Sequence, residues 1–229
     1  MYQYYYKFYS NIVIACCYFQ YFYNISCRAN TRTVVTRDHR LEIVSECGIA
    51  AGEEITNLYM NTDQPTKARL EYLREKWFFN CSCRRCADPT ECGSHYSSIL
   101  CTRQTCCGTV LPYNPLHPAS PWHCTYCGDT VDYHTVQAVL EQAAQLVAGA
   151  VHDLGVVEHL EHVIHLLSSQ LHPNNYILIG VKQKLALLYG NIHQYTMVSM
   201  GRPAKQRKLQ LCMEVLDCMQ KVCLLFCLI

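Results

Sequence analysis

The chain has 229 residues, half of them hydrophobic, and a formal net charge of +1. That length suits one large domain or two small ones, and the composition excludes a disordered chain or one with a broad basic field for nucleic acid. Seventeen cysteines, an odd number with several in CxC and CxxC spacing, do not suit a fully paired disulfide framework. They point to zinc in a reducing compartment, the cytoplasm or the nucleus.

Residues 1–23 carry one charge and many aromatics. They lack the compact aliphatic stretch and small-residue cleavage site of a signal peptide, so neither secretion nor a membrane anchor is expected, although Asn24-Ile25-Ser26 and Asn80-Cys81-Ser82 fit the glycosylation pattern. Residues 11–23 are compatible with a strand or a short buried helix. From Thr33 to Val44 two β-branched runs flank a polar turn at Arg37–Arg40, which predicts a hairpin. Gly48–Gly52 reads as a turn and Glu54–Tyr59 as a further short strand. A helix is predicted from Pro65 to Trp77, capped by Thr66 or a neighbour, with Leu70, Leu73 and Trp77 on one stripe.

Cys81, Cys83 and Cys86 then fall within six residues. A structural zinc takes four ligands in a tetrahedron, so these three thiols call for a fourth from elsewhere. A second set follows: Cys101, Cys106 or Cys107, Cys124 and Cys127, in two groups that each run into a glycine, Gly108 and Gly128, with a proline-rich connector between them. This is the pattern of a zinc ribbon or knuckle, in which glycine lets backbone amides turn toward the thiolates.

From Asp132 the periodicity is helical. One stripe runs Val136, Val139, Leu140, Ala143, Leu146, Val147 and Val151. The next runs Val157, Leu160, Val163, Ile164, Leu167 and Leu171. A third comprises Ile177, Val181, Leu185 and Leu188, and a fourth Leu209, Cys212, Val215, Leu216, Met219 and Cys223. Short connections between them predict an antiparallel array that resembles tetratricopeptide stacking, without a clean 34-residue repeat. Such an array binds a protein partner or buttresses a neighbour. His159, His162 and His165 with Glu158 and Glu161 read as a solvated polar face, and so does the basic cluster Arg202, Lys205, Arg207 and Lys208.

Three motifs in order carry a resemblance. Asn24-Ile25-Ser26-Cys27-Arg28-Ala29-Asn30 is followed by Gly52-Glu53-Glu54-Ile55-Thr56-Asn57-Leu58-Tyr59, then by the helix, then by Phe79-Asn80-Cys81-Ser82-Cys83-Arg84-Arg85-Cys86. This order resembles the C-terminal half of a SET domain with its post-SET zinc motif. The linker and helices resemble the SET–MYND subfamily of protein-lysine methyltransferases, and Ser120–Gly128 looks like its arthropod branch. The resemblance runs over residues 20 to 220.

It implies that Cys27 is the fourth ligand of Cys81, Cys83 and Cys86. It also implies that Asn24 and Phe79 contact S-adenosylmethionine and that Tyr59 is the catalytic tyrosine of the lysine channel. The pattern departs from the family at Ile25, where a histidine is usual, and at Ala29, where a proline is usual. No Gly-x-Gly cofactor loop or MYND finger precedes Asn24, and the apolar tail Cys223–Ile229 does not continue the family's helices. A truncated chain with weak or absent activity is therefore expected.

The expected fold is α+β. It comprises an uncertain segment 1–23, a partial β-rich SET core over 24–60, a helix and post-SET zinc motif over 61–92, a second zinc-ribbon-like insert over 93–130, and a tetratricopeptide-like helical array over 131–229. The expected function is methyl transfer from S-adenosylmethionine to a protein lysine, with two zinc sites. The alternative is a catalytically inactive, zinc-stapled module that recruits a protein. Direct nucleic-acid binding is not expected, because no basic stripe accompanies the near-zero charge.

Overall fold

The structure is a computed structural model, and it describes residues 24–38, 40–149, 155–192, 195–196 and 198–222. The sequence readings on residues 1–23, on Val151 and on Cys223–Ile229 lie outside the described residues. The described part is mixed helix and sheet, in agreement with an α+β class.

The first portion is held by short strands and by side chains that stand in for strand partners. Strands β1 (Asn24–Ile25) and β4 (Thr56–Asn57) pair in parallel, Asn24 opposite Thr56. Between them β2 (Thr31–Val35) and β3 (Leu41–Ser45) form the antiparallel hairpin predicted from their alternation, with Thr33 opposite Ile43. Thr36 closes its turn: its hydroxyl donates to Asp38 Oδ1 at 2.6 Å and accepts from the Arg40 amide at 3.1 Å. The strand predicted over Glu54–Tyr59 contracts to two residues. Asn30 is the reason. Its Oδ1 accepts from the Thr56 amide at 2.8 Å and its Nδ2 donates to the Glu54 carbonyl at 2.9 Å, so a side chain takes the place of a ladder.

Helix α1 (Thr66–Trp77) starts after the extended Pro65 with no side-chain cap. Thr66 is the first helical residue and not a cap; its hydroxyl accepts from Arg69 Nη2 at 2.8 Å. The helix ends on Phe78 in a left-handed conformation, with the Phe79 amide donating to the Leu73 carbonyl at 3.2 Å. Of the predicted stripe only Leu73 is fully buried, while Trp77 is 42% exposed. One turn of helix, α2 (Arg84–Ala87), follows.

A four-stranded antiparallel sheet comes next, with β5 (Ile99–Leu100), β6 (Thr109–Pro112), β7 (Trp122–Cys124) and β8 (Thr130–Val131) in that spatial order. It leads into four helices: α3 (Tyr133–Ala148), α4 (Val156–Leu167), α5 (Tyr176–Leu188) and α6 (Arg202–Val222), each packed on its neighbour in sequence. Asp132 caps α3 by accepting from the His134 and Thr135 amides, and Asn175 caps α5 by accepting from the Ile177 amide.

Sheet and helices share one core. Ile99, Val110, Trp122 and Cys124 pack in the same cluster as Val136, Leu160, Leu167 and Leu185. The join is also hydrogen-bonded. Leu100 donates its amide to the Gln170 carbonyl at 2.8 Å, and the Ser98 carbonyl accepts from Asn175 Nδ2 at 2.8 Å and from the His172 amide.

The helical stripes are reproduced on α4, where Val157, Leu160, Val163, Ile164 and Leu167 are all buried. On α6 the sequence reading needs correction. Its buried residues are Leu211, Cys218 and Val222, while Leu209 is 62% and Leu216 46% exposed and Cys212 faces solvent. The polar faces are also more engaged than a solvated reading implies. Arg207 forms a bidentate pair with Glu161 at 2.8 Å, Tyr195 donates to Glu158 at 2.6 Å, and Lys208 reaches the Tyr189 carbonyl. The three histidines of α4 do lie exposed. Among the described residues no helix is long and apolar enough to cross a membrane.

Candidate functional site

The structure gathers Cys27, Cys81, Cys83 and Cys86, their four Sγ atoms within 4.8 Å of one another. Cys27 arrives from the turn after β1; the other three come from the strap that follows α1 and from α2 itself. Cys27, Cys81 and Cys86 are buried and Cys83 half-buried. A second set, Cys101, Cys106, Cys124 and Cys127, converges within the same limit at the end of the four-stranded sheet. Here Cys101 Sγ lies 3.8 Å from Cys127 Sγ and Cys106 Sγ 3.6 Å from Cys124 Sγ. Those separations are far too long for a disulfide and match the edge of a tetrahedron, about 3.8 Å for zinc–sulfur bonds of about 2.3 Å. The geometry also settles the choice left open by spacing: Cys106 points into the second cluster and Cys107 is exposed.

The donor chemistry fits a dication. Four thiols this close cannot all ionise without one. Hydrogen bonding among the first four pushes Cys27 and Cys86 above the ordinary thiol range, while Cys81, stabilised chiefly by Cys27, falls to about 6. In the second set desolvation pushes Cys101 up to about 12. Cys124, against its own desolvation, is brought down to about 7 by backbone amides of Cys127 and Tyr126. Each cluster thus brings together thiols of unequal acidity, from which a metal ion would displace the protons.

The second site is built by its backbone. The Gly108 amide donates to Cys106 Sγ and the Tyr126 amide to Cys124 Sγ, both at 3.4 Å. A Cβ at residue 108 would collide with Cys124 Sγ and stand 2.7 Å from Tyr126 Cβ. Gly108→Ala is therefore expected to destabilise the protein by about 1–3 kcal/mol, the usual cost of overpacking. It should also accelerate zinc loss from this site alone, which thermal melting and metal release to a chromophoric chelator check.

Of the residues singled out for catalysis and cofactor contact, Tyr59 and Phe79 lie against the first cluster. Both are partly buried and pack against its cysteines together with Ile25. The Tyr59 ring meets Trp77 edge-on, centroids 4.7 Å apart. Asn24 is exposed at the start of β1, and its amide Nδ2 donates to Glu54.

No family model matches the chain. SET domain-containing protein SmydA-8, isoform B, of Drosophila melanogaster is 25% identical over 201 residues, which cover 87% of this chain and 44% of that protein. The histone-lysine N-methyltransferase SET5 of Meyerozyma guilliermondii is 38% identical over 68 residues, and its Candida albicans counterpart 34% over 67; each match covers 28% of this chain and 14% of the relative. These relatives support a SET/SMYD-type methyltransferase family for this chain. The chain spans less than half the length of the curated relatives it matches.

Two features of the chain are not apparent from its sequence motifs. One is a set of buried polar residues around the motifs. Asn57 is 2% exposed and donates to Thr33 Oγ1 at 2.6 Å, and Thr31 donates to the Thr56 carbonyl at 2.7 Å, which locks the hairpin to β4. The other is a cleft of about 410 Å³ between α1, the proline-rich connector and α3, lined by Lys67, Arg74, Pro115, Trp122, Tyr133 and Gln137 among others. Tyr59, Asn24 and Phe79 do not line it. The cleft nevertheless reaches the first cluster, because Leu70 and Cys81 line it.

Proposed function

We propose that the chain is the C-terminal SET, post-SET and helical part of an S-adenosylmethionine-dependent protein-lysine methyltransferase, with zinc in both cysteine clusters. The reading is supported above all by one juxtaposition: Cys27, from the first motif, joins Cys81, Cys83 and Cys86 in a cluster against which Tyr59 and Phe79 pack. The named relatives point the same way. On this reading the portion up to residue 60 belongs to a SET core, the cysteine sheet is a ribbon insert, and the helices form a tetratricopeptide-like array that receives a protein substrate or partner.

S-adenosylmethionine supplies an electrophilic methyl group. The ring of Phe79, beside the cluster, offers an aromatic face, and the exposed carboxamide of Asn24, which also donates to Glu54, would offer a polar contact for such a ligand. The task of the protein is alignment: a neutral lysine amine must approach in line, and most of the gain comes from holding it there. The Tyr59 hydroxyl orients the amine without taking on charge at neutral pH. Its ring is fixed for that role by Trp77. Zinc in the first cluster ties the strap that carries Phe79 to the turn after β1.

Calorimetric titration of zinc-loaded chain with S-adenosylmethionine is expected to give binding, weaker than in a chain with a complete pocket, and Tyr59→Phe is expected to leave that binding in place while removing the weak methyl transfer that remains. No heat of binding at millimolar cofactor would remove the enzymatic reading for this chain. A second reading then stands, a zinc-stapled module that docks a protein, and the outward-facing Leu209, Met213 and Leu216 on α6 favour it.

A further inference from the structure

Three charged side chains are sealed inside the protein beside the first cysteine cluster. Arg69 and Arg85 are 0% exposed and Glu91 is 2% exposed. Arg69 Nη1 and Arg85 Nη2 both donate to Glu91 Oε2, at 2.8 and 3.1 Å. Thr62 and Gln64 carbonyls accept from Arg85 at 2.7 and 3.3 Å, the Gln64 carbonyl accepts from Arg69 at 2.6 Å, and Ser97 donates to Glu91. Arg85 also reaches the Val222 carbonyl on α6 at 3.3 Å. Two guanidiniums against one carboxylate leave the group one positive charge in excess. A buried charge without a counterpart costs several kcal/mol, so the excess calls for an anion nearby. Arg69 shows where it is: Nη2 points at Cys86 Sγ, 3.5 Å away. Four neutral thiols would not balance that cation, whereas four thiolates around one zinc ion carry two negative charges.

We propose that Arg69 is the outer-sphere positioning residue of the first metal site: its guanidinium donates to the Cys86 thiolate and supplies the buried positive charge that a four-thiolate zinc centre requires, while Glu91 holds that guanidinium in place. The proposal rests on the four-thiolate reading of this cluster. It assigns different tasks to the two arginines. Arg69 touches the metal ligand, and Arg85, one residue from Cys86 in sequence, instead ties the strap to α6.

The test is zinc release from the full chain to a chromophoric chelator, with Cys27→Ser identifying the phase that belongs to the first site. Arg69→Met is expected to accelerate that phase about 10- to 100-fold, the usual effect of losing an outer-sphere contact, and to leave the second site untouched. Arg69→Lys, which restores the charge without the fork, should recover part of the loss. Arg85→Met is expected to lower the melting temperature but to leave first-site release at the wild-type rate. An unchanged rate in Arg69→Met, or equal acceleration in Arg85→Met, would overturn the proposal, since the latter is general loosening.

If Arg69→Met does not fold, wild-type chain labelled with ¹⁵N-arginine and loaded with ¹¹³Cd decides. A coupling between the metal and an Arg69 guanidinium proton is expected, and its absence overturns the proposal. Wild-type chain with no metal at the first site would be a different failure, that of the four-thiolate reading itself.

Discussion

Cys124→Ser is expected to release the second metal and to loosen the helices that pack on the cysteine sheet. Cys124 is 1% exposed and belongs to the core that contains Trp122, Val136, Leu160 and Leu185. A structural zinc contributes folding free energy directly, on the order of 10 kcal/mol in small zinc modules, which exceeds what this short-stranded sheet can supply alone. Without its metal the sheet gives up Ile99, Val110 and Trp122, and the inner faces of α3 and α4 lose the partners that cover them. Elemental analysis should show zinc falling from two equivalents, one for each cluster, to one, and amide exchange over 156–188 should become faster. Cys27→Ser is the control. It should also remove one zinc, but its cluster packs with Leu73, Tyr59 and Phe79 rather than with the helices, so exchange over 156–188 should stay as in wild type. Equal exchange in both variants would show that the sheet does not support the helices.

The second large effect is electrostatic. Glu91→Ala leaves two guanidiniums buried without their carboxylate, and breaking a buried pair by removing one partner costs about 3–5 kcal/mol. Urea unfolding should show that loss. The pH dependence follows from the same contacts. Burial on its own would raise the Glu91 carboxyl, but Arg69 and Arg85 override it and hold the group below the ordinary carboxylate range. A carboxyl depressed in the folded state contributes stability that is present above its unfolded pKa of about 4.3 and lost as pH falls through the folded value. Glu91→Gln is expected to lower stability at neutral pH and to flatten the decline below about pH 4.3. An acid limb identical to wild type would mean that Glu91 is not held as an anion.

How much of this could be read from the residues depends on how local each signal is. The hairpin and α4 were legible because alternation and a full apolar face leave one solution each. Cys81, Cys83 and Cys86 announced a metal by spacing, and Cys27 entered only through the ordered motifs, since more than fifty residues separate it from them. Cys106 and Cys107 are adjacent, so spacing had no means to choose between them; the Gly108 amide donating to Cys106 does. The stripe on α6 was misjudged because the helix carries apolar residues on both sides, and periodicity gives a face without saying which one meets the protein. The Arg69–Glu91–Arg85 group was not legible at all. Its members are charged, which ordinarily places them at the surface, and nothing in their spacing announces that the fold closes over them.

The join between the sheet and the turn after α4 has a consequence for the sheet's outer edge. β5 is the outer strand of its sheet, and an open strand edge is a template on which another chain can pair. Here that edge is occupied. Ile99 bridges Leu171, Leu100 donates to Gln170, and Ser98 accepts from His172 and Asn175, so the turn between α4 and α5 shields the strand. The helices therefore do for the ribbon what a further strand would do, and a fragment that stops after residue 131 would expose its unpaired edge to other copies of itself.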